Sequence, residues 1–136
     1  MIVDTSALFA VLTEEDEHET ILAALVSEPS FLPSPVRVEF DRVASGRRVN
    51  LRKRAALMLE SLEAKKMQCV PLTEWQSRLA VLANAEFGTG NGRGGTLNML
   101  DLMVYAVSKD TERPLLCTGR DFAATDLDLH PASRPY

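Results

Sequence analysis

Two short apolar runs in the sequence each lead to a carboxylate. Ile2-Val3 is followed directly by Asp4, and residues 114–118 are followed, after a short turn, by Asp121. Apolar runs of this length, bounded by turn residues, are typical of buried strands. When two strands are parallel, their carboxyl ends lie at the same edge of the sheet, which is where α/β proteins bind ligands. The two carboxylates therefore indicate where a functional site would be.

Strand-like and helix-like segments alternate along the rest of the chain. The pattern predicts strands at 1–5, 31–32, 67–72 and 114–118, with a marginal edge strand near 128–132. It predicts helices around 8–12 and at 16–27, 34–46, 50–66, 74–86 and 99–110. This alternation favours an α/β fold with a parallel sheet covered on both faces. The length of 136 residues predicts one domain, 1–136, and 46% hydrophobic residues supply its core.

Several side chains mark the predicted helix boundaries. Ser34 before Pro35, and Thr73, are expected N-caps. Asn98 followed three residues later by Asp101 predicts a capping box. Residues 88–95 are rich in glycine and predict a flexible loop.

The cysteines, the apolar stretches and the motifs that are missing limit the cellular compartment and the type of catalysis to be expected. Cys69 and Cys117 have no C-x-x-C spacing, so they are expected to be buried thiols in a reducing compartment. No apolar stretch approaches the roughly 18 residues of a membrane span, and Asp4 interrupts any signal-like segment. A cytoplasmic protein without membrane contact is expected. A phosphate-binding P-loop and a nucleophile elbow are both missing from the sequence, and neither His18 nor His130 lies in a catalytic context.

Four acids occupy strand ends or helices in this reading. Glu39 lies in the apolar stripe of its helix with Val36 and Val43, so it is expected to point inward, although an ion pair with Arg42 is the ordinary alternative. Asp101 opens an almost wholly apolar helix, where it is either a capping residue or a ligand. Clustered carboxylates repel one another unless a cation lies among them, and oxygen ligands suit Mg²⁺ or Mn²⁺.

The order of these motifs resembles that of PIN-domain ribonucleases, specifically the toxin components of VapBC-type toxin–antitoxin systems. The resemblance covers the whole chain. It is carried by the opening residues 2–8, by Glu39, by the segments 90–93 and 97–101 with Tyr105-Ala106, and by the segments 114–116, 119–122 and 125–126. Leu100 and Arg120 depart from the family pattern, which often has Gly and an acid at these places.

The resemblance implies a three-layer α/β/α sandwich and an endoribonuclease that uses Mg²⁺ or Mn²⁺. It implies that Asp4, Glu39, Asp101 and Asp121 form the catalytic pocket, with Asp4, Asp101 and Asp121 as metal ligands and Glu39 acting more through water. A metal-activated water would attack the RNA phosphodiester in line. Additional candidate site residues are hydroxyls beside the acids and one more acid: Thr5, Ser6, Thr118 and Asp126.

The resemblance also implies partners. A basic run and a loop arginine are candidate RNA contacts, or else a solvated surface: Arg47, Arg48, Arg52, Lys53, Arg54 and Arg93. The expected protein partner is a small DNA-binding antitoxin, in a complex where the toxin is a homodimer or part of a higher assembly. Several apolar side chains could form an exposed groove that receives an antitoxin helix, although most of them are expected in the core: Leu8, Phe9, Val11, Leu12, Leu57, Leu59 and Leu62.

Two alternatives remain at this point. A phosphatase of the haloacid dehalogenase class also begins with an aspartate after its first strand, but it needs a second acid two residues later, where this chain has Ser6. A non-catalytic PIN-like interaction module is the other alternative, although it would tolerate the loss of acids and all four are present.

Overall fold

A four-stranded parallel sheet forms the centre of the molecule in a computed structural model that describes residues 1–46 and 50–135. Its strands are β1 (Ile2–Val3), β2 (Ser30–Pro33), β3 (Met67–Val70) and β4 (Leu115–Leu116), in the spatial order β3-β2-β1-β4. The helices among the described residues are α1 (Thr5–Leu12), α2 (His18–Ser27), α3 (Ser34–Ala44), α4 (Arg52–Glu63), α5 (Glu74–Phe87) and α6 (Met99–Thr111). The predicted α/β fold with a parallel sheet is therefore confirmed.

The register of the sheet places the two predicted acid-bearing strands side by side. Ile2 pairs with Phe31 of β2 and with Leu115 of β4, and Val3 pairs with Leu116. The side chains of Ile2, Val3, Leu115 and Leu116 are fully buried, as expected for strands covered on both faces. Asp4 and the residues after β4 consequently leave the sheet at the same edge.

Local details differ from the sequence-based expectations. Ser34 is not an N-cap: α3 begins at Ser34 itself, and its hydroxyl accepts a hydrogen bond from the Leu72 amide at 3.3 Å. Val43 is 42% exposed, because the buried stripe of α3 continues from Phe40 to Ala44. The N-caps Thr73 and Asn98 are confirmed, each with a complete capping box. The marginal edge strand near 128–132 is not a regular strand but a segment with isolated bridges at Leu129 and Arg134.

The predicted antitoxin-binding leucines belong mostly to the core. Leu8, Val11, Leu12, Leu59 and Leu62 are buried, Phe9 is half-buried, and only Leu57 is well exposed. The expectation that most of them are core residues is confirmed, and the alternative that several form an exposed groove is wrong, because α1 and α4 turn those faces toward the packed interior. In residues 1–46 and 50–135, the helices lack the length and apolar character that crossing a bilayer requires.

Candidate acidic site

Asp4 joins β1 to α1 and is buried, with 5% of its surface exposed. It is the N-cap of α1, and its Oδ2 accepts hydrogen bonds from the Ser6 amide at 2.9 Å and from the Ser6 hydroxyl. Its Oδ1 is buried without a hydrogen-bond partner. Burial raises the pKa of Asp4 most strongly, the bonds from Ser6 oppose this rise, and the charge of Glu39 adds to it.

The Ser6 hydroxyl links this acid to the end of β4. Its Oγ accepts a hydrogen bond from the Thr118 amide at 3.0 Å while it donates to Asp4. Sequence reasoning gave Ser6 and Thr118 as candidates because their hydroxyls adjoin acids. In the structure it is the Thr118 amide, rather than its hydroxyl, that makes this contact.

Asp101 has the capping role that the sequence left open. Its Oδ2 accepts from the Asn98 amide at 2.8 Å, and Asn98 Oδ1 accepts from the Asp101 amide at 3.1 Å, which completes the capping box of α6. Burial and, to a lesser degree, the charges of Asp4, Asp121 and Glu39 raise the pKa of Asp101 to about 7, against the effect of the Asn98 bond. Asp101 therefore lies within electrostatic reach of the other three predicted acids.

Glu39 and Asp121, the other two predicted acids, are more exposed than Asp4 and Asp101. Glu39 is half-buried on α3, and no ion pair joins it to Arg42, so the expected inward position is favoured over the ordinary alternative. Asp121 has an exposed side chain, and its backbone carbonyl accepts a hydrogen bond from the Thr96 hydroxyl at 2.7 Å. The exposure of the acids therefore increases from buried Asp4 to exposed Asp121.

The donor chemistry of this site fits a hard divalent cation. A buried carboxylate oxygen without a partner, as at Asp4 Oδ1, is costly unless a positive charge satisfies it. The acids whose charges act on one another here supply carboxylate oxygens, which Mg²⁺ and Mn²⁺ prefer. Within the described ranges, no three Asp, Glu, His or Cys side chains are close enough to hold one ion directly. Mg²⁺ usually keeps several of its waters and needs only one or two carboxylates, so these acids fit the ion without forming a closed cage.

Two additional candidates have different surroundings. Thr5 is buried at the start of α1, and its hydroxyl has no hydrogen-bond partner. Asp126 is exposed and both its oxygens are engaged: Oδ1 accepts from the Tyr105 hydroxyl and Oδ2 from the Lys109 ammonium, each at 2.7 Å. These two bonds lower the pKa of Asp126. Asp126 therefore fastens the segment after β4 to α6.

The described candidate RNA contacts lie at the start of α4 and in the glycine-rich segment. Arg47 and Arg48 lie outside the described residues. Arg52 pairs with Asp41 at 3.3 Å and Arg54 pairs with Glu14 at 3.0 Å, both on exposed surface. Lys53 and Arg93 are exposed. Exposed ion pairs contribute little and exchange readily, so the pairing does not prevent Arg52 or Arg54 from contacting phosphate.

The glycine-rich segment is organised by a residue that the sequence analysis did not single out. Asn91 Nδ2 donates to the carbonyl of Glu86 at the end of α5, at 2.9 Å. Its Oδ1 accepts from the amides of Arg93 at 2.8 Å and Gly95 at 3.2 Å. An asparagine between glycines is the signal that could have identified this turn, because its side chain often bonds to backbone two residues on.

Comparison with known proteins settles the family. Residues 1–127 match the family described as PIN domain. The chain belongs to the PIN-domain family. Curated relatives of this PIN-domain protein include VapC ribonuclease Mb0625 of Mycobacterium bovis, 37% identical over 126 residues that cover 92% of this chain and 93% of the relative. Ribonuclease VapC42 of Mycobacterium tuberculosis is 32% identical, with 93% and 96% covered.

Solved structures agree with the fold. VapC20 of Mycobacterium tuberculosis, described as a toxin that cleaves the sarcin-ricin loop, superposes with a TM-score of 0.70 at 18% identity over 93% of this chain and 95% of that one. VapBC2 of Rickettsia felis, bound to a promoter DNA fragment, gives 0.73 at 11% identity over 95% and 96%. At these identities, the likeness establishes the shared PIN fold.

Proposed function

We propose that this PIN-domain protein is a metal-dependent endoribonuclease of the VapC type, acting as the toxin of a type II toxin–antitoxin system in the cytoplasm. The observation that carries the proposal is the buried Asp4 Oδ1, which has no hydrogen-bond partner and lies among acids whose charges also help raise the pKa of Asp101. The names of the relatives at 37% and 32% identity support the ribonuclease activity.

The four acids would have different roles. Asp4, Asp101 and Asp121 would hold Mg²⁺ or Mn²⁺ either directly or through bound water, and Glu39 would bind and orient water. A bound ion of this kind polarises a phosphate oxygen and lowers the pKa of water. Asp4 is held in one orientation by its two bonds from Ser6, and Asp101 by the Asn98 amide. Fixed carboxylates of this kind limit the reorganisation needed during reaction.

RNA cleavage by purified variants tests the proposal. Wild-type protein, freed of any bound antitoxin, is expected to cut RNA in Mg²⁺ or Mn²⁺ and to stop in EDTA. Asp4→Asn and Asp101→Asn should each reduce cleavage by at least about a hundredfold, as removal of a key charged group typically does. Asp110→Asn is the matched control, because Asp110 is also on α6 but accepts a hydrogen bond from Gln76 at 2.9 Å, away from the acidic site. Undiminished cleavage in EDTA would contradict the proposal.

The alternatives predict other results. A non-catalytic PIN-like module would bind Mn²⁺ in calorimetry without cutting any RNA. A phosphatase of the haloacid dehalogenase class would release phosphate from a small phosphomonoester and leave RNA intact. It is disfavoured because Ser6, where that class has its second acid, instead hydrogen-bonds Asp4.

We also propose that a small DNA-binding antitoxin binds this protein and blocks the acids. Three solved relatives of the same fold are described as VapBC or FitAB assemblies bound to DNA. An amphipathic antitoxin helix could use the groove between α3 and α4, of about 610 Å³, where Val38 is 70% exposed. An antitoxin arginine could pair with Asp4 or Asp101. Co-purification with the product of the adjacent small gene, followed by a nuclease assay, tests this, and full activity of the complex would contradict it.

A homodimer or higher assembly is part of the same proposal. Trp75, Val81 and Leu82 on α5 and Met99 on α6 are 57%, 74%, 69% and 74% exposed, and exposed apolar patches commonly mark protein interfaces. Light scattering of the purified protein would decide: a dimer mass is expected, and it should fall to the monomer mass in Val81→Glu.

A further inference from the structure

Residues 128–134, the closing segment, lie against β4. They follow the part of the chain that matches the PIN domain, which ends at residue 127. The Leu115 amide donates to the Asp128 carbonyl at 2.9 Å, and the Leu115 carbonyl accepts from the His130 amide at 2.8 Å. Isolated parallel bridges join Leu115 to Leu129 and Thr118 to Arg134. The closing segment thus covers the β4 edge of the sheet, which would otherwise expose unpaired backbone groups.

Ser133 makes the contacts next to the acidic site. Its side chain is buried, and its Oγ accepts from the Cys117 amide at 3.1 Å and donates to the Leu115 carbonyl at 2.9 Å. A side-chain hydroxyl here takes the place that a neighbouring strand's backbone normally has in the ladder. Arg134 then resumes backbone pairing, with its amide to the Cys117 carbonyl at 3.0 Å and its carbonyl to the Gly119 amide at 2.9 Å.

The strand end before Asp121 is therefore held from two sides. The closing segment binds the amides of Cys117 and Gly119. The amide between them, that of Thr118, donates to the Ser6 hydroxyl, which in turn donates to Asp4. A shift of Cys117 away from the closing segment would move Thr118 and so disturb the contact that orients Asp4.

Both ends of α2 anchor the closing segment. His130 Nε2 lies 3.2 Å from Oε2 of Glu28, the C-cap residue of α2, while its Nδ1 accepts from the Ala132 amide at 3.1 Å. Arg134 forms an ion pair with Glu17, the N-cap residue of α2. The position of Ser133 is consequently fixed by groups on either side of it.

We propose that Ser133 is a positioning residue for the acidic site, acting through Cys117 and Thr118 on the placement of Asp4 and Asp121. This inference rests on the proposed nuclease function for its catalytic readout. It extends the functional unit beyond the region matched to the PIN domain and gives the closing segment a role besides completing the sheet.

Ser133→Ala is the test, and Ser108→Ala is its matched control. Ser108 is also buried and donates to a backbone carbonyl, that of Arg113 at 2.6 Å, but this contact lies before β4, at the end of the strand opposite to the acids. Both variants should lose similar thermal stability. Ser133→Ala alone should lower kcat for RNA roughly tenfold with KM unchanged, because small displacements of reacting groups reduce rates strongly. It should also weaken Mn²⁺ binding in calorimetry by several-fold.

Amide hydrogen exchange supplies a readout that does not depend on activity. The Cys117 and Thr118 amides should exchange faster in Ser133→Ala than in wild type, and Ser108→Ala should leave them unchanged. Equal kcat and equal Mn²⁺ affinity in the two variants would overturn the proposal. If wild-type protein cuts no RNA, the proposed function is wrong, and the exchange rates and Mn²⁺ affinities then decide the role of Ser133 by themselves.

Discussion

The Ser6 hydroxyl and the Thr118 amide are 3.0 Å apart, although 112 positions separate them in the chain. Ser6 belongs to α1, two residues after Asp4, and Thr118 follows β4. Because the same hydroxyl donates to Asp4, one side chain joins the ends of two neighbouring strands to a buried carboxylate. The orientation of Asp4 is therefore tied to the end of β4 through a single side chain.

Ser6→Ala is expected to move the pH dependence of cleavage. The bonds from Ser6 lower the pKa of Asp4 against the larger effect of burial. Without the hydroxyl, the pKa of Asp4 rises, so the carboxylate stays protonated to a higher pH and the acidic limb of the kcat profile shifts to higher pH. At neutral pH the rate should fall roughly tenfold. Ser6→Thr keeps the hydroxyl and is the control. An unshifted acidic limb in Ser6→Ala would contradict the assignment.

Asp101→Asn is expected to stabilise the fold while it removes activity. The pKa of Asp101 is about 7 in the folded protein, above the ordinary value of 3.8. The folded state therefore binds the proton more tightly between these values, and the free energy of unfolding falls as the pH rises through that window. The amide side chain of the variant would keep an oxygen for the capping box and carry no charge. At pH 8 the variant should exceed wild type by about 1–2 kcal/mol, a figure discounted for solvent screening.

Urea denaturation at pH 4 and pH 8 measures this effect. The difference between Asp101→Asn and wild type should be small at pH 4, where most of the folded wild-type protein carries the proton on Asp101, and should appear at pH 8. If the variant is less stable than wild type at pH 8, then burial and the neighbouring acids do not destabilise the ionised form of Asp101.

Asp126→Asn is expected to have the opposite pH signature and little effect on catalysis. The Lys109 and Tyr105 bonds lower the pKa of Asp126, so its contribution to stability is present above the ordinary value of 3.8 and is lost as the pH falls through the lowered pKa. The variant should be slightly less stable than wild type at neutral pH and equal to it in strong acid, with kcat within about twofold of wild type because an exposed ion pair contributes little. A hundredfold loss of cleavage would instead make Asp126 a ligand.

The sequence predicted the parts of this molecule that depend on local patterns. Apolar runs gave the strands, and the capping boxes at Thr73 and Asn98 follow from side-chain chemistry within one turn of helix. The convergence of Asp4 and Asp121 at one edge followed from the expectation of a parallel sheet, and the charge on Asp121 indeed contributes to the raised pKa of Asp101.

Contacts between distant segments could not be predicted in this way. Ser34 has the chemistry of an N-cap, but the Leu72 amide occupies its hydroxyl. The leucines of α1 and α4 have a helical period that identifies a buried face without saying what buries it, and tertiary packing buries most of them in the core. Ser133 has no local signal at all, since its role arises only when residues 128–134 lie beside β4.

The glycine-rich loop provides a last prediction, about RNA affinity. Asn91 Oδ1 accepts a hydrogen bond from the Arg93 amide at 2.8 Å, and the Thr96 hydroxyl of the same loop donates one to the Asp121 carbonyl. Arg93 is exposed next to this turn and is proposed to contact phosphate, so Arg93→Gln should weaken RNA binding without changing the turnover of bound RNA. The slope of log K against log salt should become shallower by about 0.7 to 1, because one fewer counterion is released.

Binding titrations between about 50 and 200 mM salt, the range over which phosphate contacts have large effects, measure this slope with the inactive Asp4→Asn protein as background. Arg78→Gln is the matched control, since Arg78 is also exposed but pairs with Glu74 on α5 at 2.6 Å. Asn91→Ala should weaken binding in the same direction as Arg93→Gln, because the turn that presents Arg93 loses its central side chain. An unchanged slope in Arg93→Gln would mean that the arginine is only part of a solvated loop.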